Sequence, residues 1–158
     1  MQIHAQRLDY PAAAPEAYRA MLALTRAVKR SGLEERLVEL VFLRCSQING
    51  CAFCLDMHGA ALRKAGEAPA RLDMIAGWRE AGPVFAPRER AALALAEALT
   101  RLADRGDLPD PVYAEAREHF SEAEIANLGF AVAAINGWNR LAVAFRATPL
   151  SVRQRPAT

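Results

Sequence analysis

Glu39–His58 reads ELVFLRCSQINGCAFCLDMH. It holds all three cysteines of the chain, Cys45, Cys51 and Cys54, one of its three histidines, and an acidic residue set in an apolar run. Leu33, Leu37, Leu40, Val41 and Ile48 recur at close to helical spacing, and Asn49-Gly50 is a pair that ends one helix and opens the next. The stretch therefore predicts a helical hairpin. With Cys51 opening the second helix, Cys51, Cys54 and His58 stand at i, i+3 and i+7 on one face, and Cys54 and His58 are one turn apart. Folding the hairpin at its turn brings Glu39, about ten residues before it, level with His58, about nine after it, at a rise of about 1.5 Å per residue. A carboxylate, an imidazole and two thiols are expected to meet within one local motif.

That set of groups predicts redox chemistry at sulfur. A thiol reacts as its thiolate, which the positive end of a helix dipole and a neighbouring CxxC sulfur both favour. The second sulfur also accepts a disulfide after oxidation. His58 serves as base or cationic partner, and Glu39, flanked by Leu37, Val38 and Leu40 to Leu43, orients it and passes protons onward. A bare CxxC is shared with zinc sites and thioredoxin-like motifs, so the added His and Glu carry the specificity.

The spacing of Glu39, Cys51, Cys54 and His58 resembles the E-x11-C-x2-C-x3-H signature of AhpD-like alkylhydroperoxidases in the carboxymuconolactone decarboxylase superfamily. SQINGCAFC, the GWRE around Trp78 and the INGWNRLAVAFR around Trp138 look like the uncharacterised peroxidase-related branch of that family, so the resemblance spans roughly residues 20–147. It implies an all-α, AhpD-like fold and a homo-oligomer, commonly a trimer or hexamer. It also implies reduction of a hydroperoxide substrate, with electrons from a thiol or lipoyl-type reductant protein and with no cofactor or metal. Carried over residue by residue, Cys54 is the peroxidatic thiol, Cys51 the resolving and reductant-facing one, and His58 with Glu39 the proton relay. One departure is Phe53, which stands where the best-studied members place Tyr, so a hydroxyl is missing beside the second cysteine.

Working outward, 158 residues suit one domain over 1–158, with an irregular arm at about 1–13, laid on a neighbouring subunit, and a frayed tail from about 149. A hydrophobic fraction of 53% with only 7% aromatics and abundant Ala favours close-packed helices over a sheet. A net charge of +2 with interspersed signs leaves no footprint for nucleic acid, and no apolar run is long enough for a membrane span. The cysteine usage and the lack of a signal-like N-terminus point to a cytoplasmic location.

Further helices are predicted over Glu16–Lys29, Pro69–Ala81, Pro87–Arg105 (with Glu97 on its polar side) and Val112–His119. Gly66 caps the second hairpin helix. Ser121 and Glu124 form a capping box for a helix from Ala123 to about Asn136. That helix is apolar on all sides and so destined for the interior or a subunit interface, with a break at Asn136–Arg140 and a last piece over Leu141–Phe145.

Blander readings stand beside these. The CxxC sulfurs are also small buried hydrophobes, and Cys45, Cys51, Cys54 and His58 together have the composition of a zinc site, although Cys45 reads better as a core residue. His4 and His119 read as surface residues. Trp78, Trp138, Asn136, Asn139 and Arg140 fit core packing as well as a pocket lining and receive no role. Two other functions remain open: a carboxymuconolactone-type decarboxylase, in which the CxxC pair has no task, and a non-enzymatic redox-sensing or zinc-stabilised helical oligomer.

Overall fold

Gly50, at φ +63°, makes the turn on which the hairpin depends, in the left-handed region that favours glycine. The computed structural model describes residues 5–153, and among them the regular elements are all helical. Helix α3 (Glu35–Ile48) ends at Asn49 and α4 (Ala52–Lys64) starts at once, with Cys51 as its cap. Across the turn, Cys51 N–H donates to Ser46 O at 3.0 Å.

Helix α3 is the axis of the molecule and is packed on both sides, which explains why its apolar run is nearly unbroken. Leu37, Val38, Val41, Phe42 and Cys45 enter one core with Leu128, Ala131 and Ile135 of α9 (Glu122–Ala144). Leu40 and Leu43 enter a second core with Leu62, Ile75, Trp78, Phe85 and Leu93. Burying each such side chain contributes about 1.5–3 kcal/mol, so Leu40→Ala is expected to cost about 2–5 kcal/mol. The buried alanines of α6 (Pro87–Thr100) let that helix lie close against α3.

Around this axis stand α1 (Tyr10–Ala13), α2 (Pro15–Lys29), α5 (Pro69–Met74), α7 (Leu102–Arg105), α8 (Asp110–His119) and α10 (Leu150–Arg153). Gly66 follows α4 at φ +83°, and the Ser121–Glu124 capping box is present on α9, as predicted. Four expectations need correction. The helix expected over Pro69–Ala81 stops at Met74 and tightens into a 3₁₀ turn at Ile75–Gly77; the one expected to reach Arg105 breaks at Arg101. The described part of the N-terminal arm lies on its own chain, where Arg7 N–H donates to Phe145 O at 3.0 Å and Tyr10–Ala13 is helical. His4 and the rest of the expected arm and tail, at 1–4 and 154–158, lie outside the described residues.

The fourth correction is the largest, because α9 runs without interruption through Asn136–Arg140. Its polar residues point sideways into partners instead of ending the helix. Asn49 donates to Asn136 and to Asn139 at 2.9 Å each, Asn136 donates to Thr100 at 3.0 Å, and Asn139 donates to Ser46 at 3.0 Å. Gly137 is a packing residue: a Cβ there would meet Met21 Cε at 2.8 Å, so glycine lets α2 approach α9. Nor is α9 buried all round, since Phe130 and Val143 are 56% and 49% exposed.

Candidate active site

The hairpin places Glu39 on α3 and His58 on α4 at the same height, with Nδ1 of His58 2.7 Å from Oε2 of Glu39; both side chains are buried. Phe42 stacks beside the imidazole at a centroid distance of 5.0 Å. Burial pushes the Glu39 carboxyl up, but hydrogen bonds and charge from His58 and from Lys29 outweigh it and hold the group below its ordinary value. Lys29 Nζ lies 2.6 Å from the other oxygen, Oε1. His58 Nε2 is buried and has no partner among the described residues.

Cys51 caps α4 through its sulfur, which accepts from Cys54 N–H at 3.3 Å. The hydrogen bond from the Cys54 thiol brings Cys51 down to about 7. Burial opposes the shift, while the backbone N–H of Cys54 and the Asn139 side chain assist it. Cys54 is driven the opposite way, first because its S–H serves Cys51 and then by burial. The anion of the pair is thus favoured on Cys51, at the helix N-terminus, whereas the sequence reading gave the held thiolate to Cys54 beside His58. Although the resemblance casts Cys51 as the reductant-facing thiol, it is no more exposed than Cys54, both residues being 1% exposed. All three cysteines are reduced.

A cavity of about 290 Å³ opens beside this cluster. Cys54, His58, Glu39 and Lys29 line it, whereas Cys51 is not among its lining residues. Its walls are apolar, from Leu22, Phe42, Phe53, Met57 and Ile135, and an aromatic row of Tyr10, Tyr18 and Trp138 closes one side. Trp138 is fixed there by its indole N–H, which donates to Thr25 at 2.9 Å. Asn139 and Ser46 back the sulfurs from α9 and α3.

The sequence pattern thus located the four groups that meet at the hairpin, singled out Trp138 and Asn139 without giving them a role, and missed Lys29 and the two tyrosines of the cavity wall. Of the residues given no role, Trp78 lies away from the cavity with its indole N–H on Glu97 at 3.0 Å, and Arg140 donates to Asn136. Cys45 is a core residue whose sulfur accepts from Thr100 at 3.2 Å, and burial pushes its thiol up to about 12. Among the described residues, no group of three or more His, Cys, Asp or Glu side chains is arranged to hold a metal ion. His119, the last residue of α8, is not among the cavity-lining side chains. No described helix is long and apolar enough to cross a membrane.

This arrangement has relatives. The chain is 37% identical over 139 residues to the uncharacterised protein YdfG of Bacillus subtilis, covering 88% of this chain and 93% of YdfG. Among solved structures it superposes with TM-score 0.87 and 42% identity on a protein of unknown function from Agrobacterium tumefaciens, assigned provisionally to antioxidant defence as AhpD; the match covers 98% of this chain and 100% of that one. An uncharacterised peroxidase-related protein from Silicibacter matches with TM-score 0.78 at 26% identity, over 89% of this chain and 74% of that one. Residues 15–98, which carry α2 through most of α6 and hence Lys29, Glu39, both site cysteines and His58, match the carboxymuconolactone decarboxylase family, and the chain belongs to that family, in its AhpD-like form.

Proposed function

We propose that the protein is a thiol-dependent peroxidase that reduces a hydroperoxide through Cys54 and Cys51. The observation that carries this reading is that Cys54 and His58 line one cavity, with His58 Nε2 left without a partner among the described residues and Nδ1 held by a buried carboxylate. His58 takes the proton of Cys54, and the resulting thiolate attacks the terminal oxygen of the hydroperoxide. The O–O bond breaks, Cys54 becomes a sulfenic acid, and the departing alkoxide takes the proton from His58 and leaves as an alcohol. The Cys51 thiolate then attacks Cys54 Sγ, expelling the hydroxyl as water with one further proton and forming the disulfide. A dithiol reductant, of the thiol or lipoyl type, restores both thiols and is itself oxidised to a disulfide. Its first attack falls on Cys54, the sulfur that faces the cavity, because Cys51, with the lower pKa, is the better leaving group.

Thiol titration before and after one equivalent of an organic hydroperoxide, with peptide mass spectrometry, tests the reading. Two thiols are expected to disappear as a Cys51–Cys54 disulfide while Cys45 stays reduced; an unchanged titre would defeat it. Homo-oligomerisation belongs to the same proposal and is supported by the exposed apolar side chains Phe130 and Val143 on α9 and Leu102 on α7, the kind of surface that association covers. A stable monomer by light scattering would remove that part alone.

A further inference from the structure

Lys29, the last residue of α2, comes from outside the hairpin yet completes its relay. Its ammonium is 2.6 Å from Glu39 Oε1, and Glu39 Oε2 is 2.7 Å from His58 Nδ1. The three side chains form one line, from the buried imidazole of the cavity-lining His58, through a carboxylate side chain 5% exposed, to a lysine side chain 36% exposed. We infer that Lys29 is a positioning residue that, by keeping Glu39 ionised, fixes the tautomer of His58, so that Nε2 offers the cavity a lone pair instead of a proton.

An ionised carboxylate can only accept, so beside it Nδ1 carries the hydrogen and a neutral ring leaves Nε2 bare. A carboxyl group as buried as Glu39 is costly to keep charged without a cation. Once protonated, it donates to Nδ1, and the one ring hydrogen of neutral His58 moves to Nε2. The nitrogen at the cavity would then be a donor, unable to take a proton from Cys54. Lys29 is the cation that contacts the carboxylate, and it does so on the oxygen His58 leaves free.

The consequence for catalysis rests on the peroxidase reading above, whereas the tautomer itself does not. Ring ¹⁵N NMR of His58 in wild type, Lys29→Met and Lys29→Arg, paired with the rate of the first oxidation of Cys54 by an organic hydroperoxide, tests both. Wild type is expected to show hydrogen on Nδ1. Lys29→Met should move it toward Nε2 and slow the oxidation about tenfold or more, as loss of an orienting partner commonly does. Lys29→Arg should retain the wild-type spectrum, and in a Glu39→Gln background Lys29→Met should have no further effect. Lys29→Gln takes the place of Lys29→Met if circular dichroism shows the latter unfolded. A His58 spectrum unchanged by loss of the ammonium overturns the inference, whatever the rate does. A switched tautomer in a protein that never reacts with peroxide upholds it and sinks the peroxidase reading instead.

Discussion

Glu39 and Glu97 are carboxylates of the same kind in different company. Each sits on an apolar helix, 3% and 6% exposed, and each is held below its ordinary value against burial, Glu39 by His58 and Lys29, Glu97 by Arg79, Trp78 and Arg44. Every partner of Glu97 closes the group in: Arg44 Nε donates at 2.7 Å, Trp78 Nε1 at 3.0 Å, and Arg79 binds the second oxygen. Those partners tie α3, α6 and the segment after α5 together and line no part of the cavity. The hydrogen-bond chain from Glu39 instead ends on His58, which lines the cavity together with Cys54. Burial and a shifted pKa are common to both, so what separates a relay from a clamp is where the chain of donors ends.

The largest expected effect is the difference between the two site cysteines. Cys54→Ser should abolish the first oxidation, whereas Cys51→Ser should react once, stop at the sulfenic acid and fail to turn over. Dimedone trapping on each single mutant reads this directly. An adduct on Cys51 in Cys54→Ser, with none on Cys54 in Cys51→Ser, would reverse the two roles.

Next come the relay residues. His58→Ala should slow the first oxidation by about 10²–10⁴-fold, the usual worth of a positioned base, and Glu39→Ala by less, since it acts through His58. Stopped-flow oxidation by an organic hydroperoxide measures both, and equal rates in wild type and His58→Ala would remove the base from the mechanism. Glu97→Ala should do the reverse. It leaves Arg44, whose side chain is only 12% exposed, without its anion, a loss of about 3–5 kcal/mol that lowers the melting temperature by about 10 °C while the folded fraction oxidises at the wild-type rate. If Glu97→Ala slowed oxidation as much as Glu39→Ala does, the distinction between clamp and relay would fall.

That distinction marks what the sequence could reveal. The hairpin and its four groups were legible because they lie within twenty consecutive residues, where helical spacing and one Asn-Gly turn fix their relative positions. Glu97 falls on the polar side of its helix in the sequence because its partners Arg79, Trp78 and Arg44 lie 18, 19 and 53 residues away. The Asn136–Arg140 segment was read as a helix break because its polar residues and glycine lack local partners. Their real partners are Asn49, 87 residues distant from Asn136, and Met21 against Gly137. Lys29 had no local signal either, since its meeting with Glu39 depends on how α2 and the hairpin pack together.

The smallest effect is the most specific to the hairpin, because between pH 7 and 9 both glutamates stay ionised and contribute no slope. Cys51 falls from an ordinary 9.0 to about 7 in the folded, reduced protein. Between those values the unfolded chain holds a proton there that the folded one has released, so stability rises with pH. The contribution is complete above pH 9 and lost as pH falls through 7. Cys54 is raised, so above pH 9 the unfolded chain releases a proton that the folded one keeps, and stability falls again. In the disulfide form neither sulfur titrates, and Cys45 is common to both forms. The stability of reduced minus oxidised protein, from denaturant titrations at a series of pH values, should therefore climb by on the order of 2 kcal/mol from pH 7 to 9 and then decline. A flat difference would mean that the N-terminus of α4 holds no thiolate. It would also take away the reason for Cys51 to be the leaving group when the disulfide is reduced.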